Sequence, residues 1–348
     1  MSRDNRSAYV KSPWLFEIRD NPVREPGAGE LLVKIEACGV CGTDLHTADR
    51  MASDWQLFGH EMAGVVAAVG EGVDDYVVGD RIALNTASPC GKCSVCAPVP
   101  YGSGRPDLCR TPTTYWGGPQ MGFGDYIVSP AACAVKIPDH MGFDAASLAE
   151  PMCVSIDLVE TGEVKAGDNV LIIGPGPLGL GAVTVSLRAG AAHVALAGLS
   201  GSVARMEAGK ALGAGELIEV DKTNLVEYYS GRPAPNKILV TAPPQCLKDA
   251  FEIAPFGGTI AYIGIAWGPG SMVEFDADAF HFKKLSLKAS FASPDTQLRK
   301  SVRLLEAAPE LGRELISHRF KLDDIADAMI TCRDDRERTV QKMIMVGE

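Results

Sequence analysis

The stretch Asn169–Arg188 reads NVLIIGPGPLGLGAVTVSLR, and it decides the fold of the second half of the chain. Val170–Ile173 is a short apolar run, typical of a buried strand, and Leu178–Ala189 has the length and composition of a helix. Between them lies a glycine turn with the spacing GxGxxG. A glycine turn that directly follows a strand and opens a helix is more specific than the glycine spacing alone.

This turn predicts a binding site for a dinucleotide pyrophosphate. Glycines permit a tight turn and a close approach of the backbone to phosphate, and a helix N-terminus favours negative charge. Proline suits the first helical position, where its missing N–H costs little. The predicted contacts are Gly174, Gly176, Pro177, Leu178 and Gly179. The alternative is a glycine-rich turn that binds no ligand.

Outward from this turn, strand-like and helix-like segments alternate. Further strands are predicted at Val194–Leu199, Leu217–Val220, Lys237–Thr241 and Thr259–Ile265, and further helices at Val203–Leu212 and Cys246–Ile253. This alternation predicts an α/β fold with a doubly wound parallel sheet. Before Ala149 the chain is β-rich, with strand-like runs at Leu31–Cys38, Ala63–Val69 and Arg81–Leu84. The tail predicts a strand at Leu285–Phe291, helices near Leu298–Ala307 and Leu322–Ile330, and a last strand at Gln341–Val346.

The residues after the second predicted strand of this fold bear on the choice of cofactor. An acidic residue about 20 positions beyond the glycine turn binds the ribose 2′-hydroxyl of NAD, and none is present at Leu196–Ser200. Ser200, Ser202 and Arg205 stand there instead, and an arginine can pair with the 2′-phosphate of NADP. The sequence therefore favours NADP over NAD. Alternatively, the serines cap a helix and the arginine is solvated, which leaves NAD as the cofactor.

The cysteines predict a structural zinc site. Ten cysteines and a polar N-terminus without a secretion signal predict a reducing, cytoplasmic location. Cys90, Cys93, Cys96 and Cys109 follow the spacing C-x2-C-x2-C-x12-C. Four thiolates suit a tetrahedral zinc with no open position, which serves folding rather than catalysis. The alternative is a set of free thiols.

Composition limits the class of partner. The length of 348 residues suggests about two domains. A net charge of −11 argues against a nucleic-acid or anionic-membrane partner held by bulk electrostatics. The longest uncharged run, Asn169–Leu187, is interrupted by the glycine turn, so it does not predict a membrane span. The expected partner is a small molecule.

A second set of potential metal ligands is dispersed along the chain. Cys41 stands in GVCGTDLH, His60 in GHE, and Glu150 before Pro151. Each has a structural explanation by itself: a buried cysteine, a core histidine, a carboxylate at a helix start. Together with the clustered cysteines and GPGPLG, these blocks resemble the zinc-dependent medium-chain alcohol and polyol dehydrogenases. The resemblance is to the threonine and sorbitol dehydrogenase-like branch, and it runs nearly end to end.

The resemblance implies a GroES-like catalytic domain of residues 1–150 and 288–348 and a Rossmann cofactor domain of residues 151–287. It implies two zinc ions per chain and a homo-tetramer or homo-dimer. The catalytic zinc would bind Cys41, His60 and Glu150, and Glu61 would approach or bind it as well. By the same resemblance, Asp44 would orient the histidine ligand, and Thr43 and His46 would relay the proton.

The activity implied is hydride transfer between a secondary alcohol and NAD(P), with zinc acting as a Lewis acid. The expected substrate is a polyol, a sugar derivative or a hydroxy amino acid. One alternative is a dehydrogenase or reductase for simple or apolar alcohols and ketones. Another is a non-catalytic protein that binds zinc and a dinucleotide.

Two departures from the family pattern concern the loops. The segment Ala97–Leu108 makes the cysteine loop longer than usual, which a surface loop tolerates at small entropic cost. Ala292–Pro294 lacks the arginine that polyol-oxidising relatives often place there, which argues against sorbitol as the substrate. Five aromatic side chains are candidates for the substrate pocket or for plain core: Trp55, Phe58, Tyr115, Trp116 and Phe291.

Overall fold

A computed structural model describes residues 4–335 and 337–347. Its contacts divide the chain into two units. Unit 1 comprises Met1–Cys153, Ala292–Asp335 and Gln341–Glu348, and unit 2 comprises Val154–Phe291 and Arg336–Val340. Among the described residues, none of the helices combines the length and the apolar character needed to span a bilayer.

Strands and helices are numbered in chain order. The strands are β1 Arg6–Lys11, β2 Leu15–Asp20, β3 Glu30–Gly39, β4 Gln56–Leu57, β5 Glu61–Val69, β6 Arg81–Leu84, β7 Ala87–Ser88, β8 Thr113–Thr114, β9 Tyr126–Pro130, β10 Ala134–Lys136, β11 Asn169–Ile173, β12 His193–Gly198, β13 Glu216–Glu219, β14 Lys237–Val240, β15 Thr259–Tyr262, β16 Ser286–Ala289, β17 Ile316–Lys321 and β18 Gln341–Met345. The α-helices are α1 Gly42–His46, α2 Phe143–Ser147, α3 Ala149–Thr161, α4 Pro177–Arg188, α5 Val203–Ala211, α6 Leu225–Tyr229, α7 Leu247–Ile253, α8 Ala277–Phe282, α9 Leu298–Ala307, α10 Glu310–Leu315 and α11 Ile325–Asp334. A π-helical turn covers Thr47–Met51, and 3₁₀ turns cover Pro106–Leu108, Ala131–Cys133, Pro244–Cys246, Pro269–Ser271 and Leu322–Asp324.

Unit 1 is built on a seven-stranded sheet. Its order is β10-β6-β5-β3-β18-β17, and β9 also pairs with β3. A smaller sheet has the order β2-β1-β4. Side chains two residues apart on a strand share a face, and Leu31, Val33 and Ile35 of β3 accordingly pack into one buried core with Val66 and Phe123. This confirms the predicted β-rich first half.

Unit 2 contains six parallel strands in the order β13-β12-β11-β14-β15-β16. The glycine turn follows β11, which lies in the middle of the sheet where the strand order reverses. Ligands of doubly wound sheets bind at such a reversal. The β11 and β14 strands bury Leu171, Ile173, Ile238 and Val240 in one core. The predicted doubly wound parallel sheet is confirmed.

The boundaries of the units differ from the predicted domain boundaries by a few residues. The boundary at 287/288 falls inside β16, which pairs with β15 and therefore belongs to unit 2. Residues 336–340 also join unit 2, where the Ala204 N–H donates to the Glu337 carbonyl at 2.9 Å. That the units serve as catalytic and cofactor-binding domains stays a prediction.

Candidate active site

Three potential metal ligands meet in unit 1. Cys41 precedes α1, and His60 and Glu61 stand at the start of β5. One ligand atom of each lies within 4.8 Å of the other two. Strands β3 and β5 are antiparallel neighbours with Gly39 opposite Glu61, so the end of β3 delivers Cys41 to the start of β5. The residues His60 and Glu61 are only 5% and 3% exposed.

The predicted ligand Glu150 lies outside this group of three. It stands in the first turn of α3, close enough for its charge to raise the pKa of the Cys41 thiol. Glu61, which adjoins His60 in the chain, stands beside the other two ligands instead. Glu150 as a zinc ligand therefore stays a prediction, and Glu61 is the carboxylate in ligand position here.

The cluster carries an excess of buried acidic groups. Burial raises the pKa of the Cys41 thiol to about 12 and raises the pKa of the Asp44, Glu61 and Glu150 carboxyls. Burial lowers the pKa of His60, but the attraction of these carboxylates, Asp44 first, outweighs it. Within the described residues, none of the interactions behind these shifts comes from a lysine or an arginine.

This charge pattern fits a divalent cation. Buried acids without a cation are costly, and a metal ion relieves that cost by holding thiolate and carboxylate in their charged forms. Sulfur, imidazole nitrogen and carboxylate oxygen are the ligands that zinc prefers. The donor set of Cys41, His60 and Glu61, with Glu150 nearby, therefore fits zinc.

Asp44 ties the two ligand segments together. Its carboxylate accepts the Cys41 N–H at 2.9 Å and the Gly59 N–H at 3.2 Å. It also lies 3.9 Å from Nδ1 of His60, which is too long for a hydrogen bond. That nitrogen is buried without a hydrogen-bond partner in the part of the chain that is described. Because Nδ1 faces Asp44, Nε2 is the nitrogen that remains for a metal, and Asp44 is placed to orient the ring.

Gln341, at the start of β18, holds the Glu61 carboxylate. Its Nε2 donates to Oε2 of Glu61 at 2.5 Å, and both side chains are buried. Strands β18 and β3 pair antiparallel beside Gly39. A Cβ at Gly39 would overlap Oε2 of Glu61 and lie 2.9 Å from Nε2 of Gln341, so a glycine is needed there. No sequence motif points to Gln341, because 280 residues separate it from its partner.

The two predicted proton-relay residues lie on α1. The Thr43 hydroxyl is close enough to the Cys41 sulfur to favour its thiolate and so lower its pKa, and Thr43 lines a cavity of about 340 Å³ in unit 1. His46 ends α1 and is half-buried, and burial lowers the pKa of its imidazole. A neutral imidazole at the end of the helix is able to accept a proton at neutral pH.

Three of the predicted aromatic side chains lie close to the cluster. The Trp116 ring meets the His60 ring at a centroid distance of 5.1 Å, and both Trp116 and Phe58 line the 340 Å³ cavity. The buried Tyr115 donates its hydroxyl to the His60 carbonyl at 3.2 Å. Phe58 also packs edge-on against Phe123 in the core. Trp116 and Tyr115 therefore contact His60, whereas Trp116 and Phe58 border the cavity.

The other two aromatic candidates lie elsewhere. The Arg19 guanidinium stacks over the Trp55 ring at 4.5 Å, and Phe291 is exposed at the end of unit 2. Unit 2 also carries a larger cavity of about 520 Å³ beside Trp267 and Met272. Its lining contains no Cys, His, Asp or Glu, so it offers none of these metal-binding or acid–base groups.

The four clustered cysteines converge on one point. Their sulfur–sulfur distances are 3.2 Å for Cys93–Cys96, 3.5 Å for Cys90–Cys96 and Cys90–Cys109, and 3.8 Å for Cys93–Cys109. Zinc bound to four sulfurs at about 2.3 Å gives sulfur–sulfur edges of about 3.8 Å. All ten cysteines are free thiols, so no disulfide explains this approach. The arrangement fits a tetrahedral zinc.

Hydrogen bonds favour the thiolate form in part of this group. The Thr111 hydroxyl is the main cause that lowers the pKa of Cys90 to about 5, and the Cys96 N–H is the main cause that lowers the pKa of Cys93 to about 7. Burial raises the pKa of Cys96 to about 11. Thiolate is the form that binds metal.

The glycine turn in unit 2 has the geometry that the motif predicts. Gly174 has a φ of 113°, and a Cβ there would lie 2.6 Å from the Thr241 hydroxyl. A Cβ at Gly179 would overlap the Gly174 carbonyl oxygen, whereas a Cβ at Gly176 meets nothing within 4 Å. Pro177 begins α4, and no side chain among the described residues caps that helix. The turn is therefore tightly packed at Gly174 and Gly179 and open at Gly176, two residues before Leu178.

Two of the residues after β12, Ser200 and Arg205, bond to protein partners. Ser200 donates its N–H and its hydroxyl to Asp221, at 2.7 and 2.6 Å. Ser202 is the N-cap of α5 but makes no side-chain capping bond. Nε of Arg205 donates to the Thr339 carbonyl at 3.0 Å. The sequence pattern missed Asp221 because it follows the neighbouring strand β13 rather than β12.

Comparisons with known proteins agree with this architecture. Residues 27–139 match the family model of the alcohol dehydrogenase GroES-like domain, and residues 177–307 match that of zinc-binding dehydrogenases. L-threonine 3-dehydrogenase of Chromobacterium violaceum is 30% identical over 336 residues, covering 91% of this chain and 93% of the relative.

Two solved structures are similar over almost the whole chain. The alcohol dehydrogenase RspB of Escherichia coli CFT073, complexed with NADH, is 28% identical with a TM-score of 0.87, covering 99% of both chains. A putative zinc-binding dehydrogenase of Sinorhizobium meliloti 1021, bound to NADP, is 26% identical with a TM-score of 0.84, covering 99% of this chain and 100% of the other.

Proposed function

Because the chain belongs to the zinc-dependent medium-chain dehydrogenases of the threonine and sorbitol dehydrogenase-like branch, we propose that it transfers a hydride between a secondary alcohol and a nicotinamide dinucleotide. The observation that carries the proposal is the buried group of Cys41, His60 and Glu61, with more acid than its own residues can neutralise. A non-catalytic protein has no need for a metal site of this kind beside a cavity.

The proposed roles in unit 1 start from the metal ligands. Cys41 and His60 hold the catalytic zinc, with Glu150 or Glu61 as the carboxylate ligand. When bound, zinc supplies a Lewis acid that lowers the pKa of a substrate hydroxyl. Asp44 keeps the imidazole of His60 oriented. Cys90, Cys93, Cys96 and Cys109 hold a second, structural zinc.

The proton leaves through α1. Thr43 accepts the alcohol proton, supported by its position on the cavity wall beside the Cys41 sulfur. His46 accepts it afterwards at the far end of the same helix. The lowered pKa of His46 supports this role, because the imidazole is then neutral when the proton arrives.

The glycine turn of unit 2 binds the dinucleotide, whose nicotinamide accepts the hydride. Gly176 gives the pyrophosphate an open face, and the first turn of α4 favours its charge. The expected preference for NADP depends on the absence of an acid near the end of β12. The Asp221 carboxylate on Ser200 removes that premise.

The substrate we propose is a polyol, a sugar derivative or a hydroxy amino acid. The relatives named L-threonine 3-dehydrogenase support the last of these, as does the polar part of the cavity lining, Thr43, Thr47 and Gln56. The same cavity is also lined by Leu57, Phe58 and Met121, which favours the alternative of simple or apolar alcohols.

Location and assembly complete the proposal. Ten free thiols support a reducing, cytoplasmic location. The family resemblance supports a homo-tetramer or a homo-dimer, which light scattering of the purified protein measures directly.

A cofactor-coupled absorbance screen at about 340 nm tests the function. The zinc-loaded protein is assayed with both dinucleotides, in both directions, against polyols, hydroxy amino acids and simple secondary alcohols. Turnover of a polar secondary alcohol is the expected result. Turnover of simple alcohols alone would reject the polar substrate class, and no turnover with any of them would reject the function.

Replacing the proposed sulfur ligand tests the site itself. Cys41→Ser is expected to lose one of two zinc ions per chain and at least about 100-fold in activity, because the ion is then held by too few strong ligands. Metal analysis and circular dichroism provide the readouts, and Cys246→Ser, which changes a thiol in unit 2, is the matched control. Unfolding of Cys41→Ser would make Cys41 a structural residue instead.

A further inference from the structure

An acidic side chain stands at the edge of the sheet where the cofactor ribose is expected. Strands β12 and β13 are parallel neighbours, with Gly198 opposite Glu219. The residues just beyond their carboxyl ends therefore share one edge of the sheet. Ser200 follows β12 and Asp221 follows β13, and both Asp221 oxygens accept hydrogen bonds from Ser200. The carboxylate that the sequence after β12 lacks is thus supplied from the next strand.

Two nearby cations, Arg205 and Lys222, have protein partners. Nε of Arg205, the residue expected to pair with a 2′-phosphate, donates to the Thr339 carbonyl at 3.0 Å. The ammonium of Lys222, next to Asp221, contacts the Glu219 carboxylate at 2.9 Å. The hydrogen bonds from Ser200 lower the pKa of Asp221, so its carboxylate is charged at neutral pH.

We propose that Asp221 selects NAD over NADP by accepting a hydrogen bond from the ribose 2′-hydroxyl and repelling a 2′-phosphate. The inference rests on the proposed function, in which unit 2 binds a dinucleotide at the glycine turn. The proposed preference for NAD is the opposite of the preference for NADP that the missing acid after β12 predicts.

One carboxylate can accept hydrogen bonds from Ser200 and from a ribose hydroxyl at the same time. Each carboxylate oxygen has two lone pairs, so an oxygen that accepts from Ser200 can accept from a ribose hydroxyl as well. A phosphate monoester carries a charge of about −1.5 to −2 at neutral pH, which an exposed carboxylate disfavours at close range. Ser200 holds the carboxylate in one orientation, so little ordering is needed when the cofactor binds.

The test is fluorescence titration of NADH and NADPH into the zinc-loaded, full-length protein. The wild type is expected to bind NADH at least about 10-fold more tightly than NADPH. This ratio corresponds to the gain of one hydrogen bond between the ribose hydroxyl and a charged carboxylate. Asp221→Asn is expected to reduce that ratio about 10-fold, because the amide keeps the shape but loses the charge. Asp221→Arg is expected to reverse the preference, since a guanidinium pairs with phosphate.

Asp278→Asn, which removes an exposed carboxylate of unit 2 elsewhere, is the matched control and keeps the wild-type ratio. Competition of bound NADH by 5′-AMP and by 2′-AMP repeats the comparison with the adenosine half alone, and circular dichroism checks folding. An unchanged ratio in both Asp221 variants, or tighter NADPH binding by the wild type, would overturn the role of Asp221 and leave the proposed function intact. Failure of the wild type to bind either dinucleotide would overturn both.

Discussion

A single hydrogen bond from Gln341 fixes the Glu61 carboxylate at the start of β18. The same carboxylate lies within 4.8 Å of the ligand atoms of Cys41 and His60, so Gln341 holds Glu61 in ligand position. A glutamine leaves the acid uncompensated, because its amide carries no charge. Zinc therefore remains the cation that we propose compensates the negative charge of the buried cluster.

We expect Gln341→Leu to lower the free energy of unfolding by about 1–3 kcal/mol, because it leaves a buried carboxyl group without its donor. Urea denaturation of the zinc-loaded protein measures the change. Gln56→Leu, at an exposed glutamine of β4, serves as control and should change stability by less than about 0.5 kcal/mol. Equal stability of the Gln341 variant and the wild type would show that the bond contributes nothing.

The pH dependence of alcohol oxidation is expected to report His46. Its pKa lies below the usual value of about 6.5, mainly because of burial and next because of the Arg50 charge. A base with a lowered pKa stays neutral over more of the acid range, so kcat/KM should fall only as the pH drops below about 6.5.

Two variants check this assignment in a pH–rate profile. His46→Gln should lack the acid limb, and Arg50→Gln should move it to higher pH, because the repelling charge is gone. A limb that stays in place in both variants would assign it to another group.

At the scale of elements, the turn between β11 and α4 separates two roles of glycine. At Gly179 the nearest obstacle to a Cβ is the protein's own backbone, whereas at Gly176 the protein leaves open space. Gly179 is thus required by the fold, whereas the open space at Gly176 is available to the pyrophosphate that we propose binds there.

Two alanine substitutions distinguish these roles. Gly179→Ala should lower the free energy of unfolding by about 1–3 kcal/mol, since the backbone must move to admit the methyl group. Gly176→Ala should cost less than about 1 kcal/mol of stability yet weaken NADH binding at least about 10-fold, because its methyl group faces the pyrophosphate. Thermal unfolding and NADH fluorescence measure the two effects. Full NADH affinity in Gly176→Ala would place the dinucleotide elsewhere.

At the scale of the whole molecule, both proposed metal centres belong to unit 1. In the cysteine group, Cys90 and Cys93 are partly exposed, whereas in the Cys41 centre His60 and Glu61 are buried and only Cys41 is partly exposed. We therefore expect a chelator to reach the cysteine zinc sooner than the ion of the Cys41 centre.

We expect a colorimetric chelator to remove two zinc ions per chain in two kinetic phases. Loss of the cysteine zinc should lower the melting temperature by several degrees, because its binding energy stabilises the folded loop. Cys93→Ser should retain a single phase and keep the slower ion. Release of both ions at one rate would contradict this difference in access.

What the sequence by itself determined is local. The strand, the GPGPLG turn and the helix follow one another along the chain, and the clustered cysteines share one loop, so spacing alone encodes their geometry. The order of elements also predicted the parallel sheet of unit 2, because each βα connection places the next strand alongside.

Tertiary structure decided every pairing between distant segments. Strand β18 sets Gln341 on Glu61, strand β13 sets Asp221 on Ser200, and β5 sets Glu61 rather than Glu150 beside Cys41. Such partners carry no shared motif, because strand pairing is satisfied by backbone hydrogen bonds and leaves no trace in residue spacing. The proposed preference for NAD depends on one of these pairings, Asp221 with Ser200, whereas the sequence after β12 by itself predicts NADP.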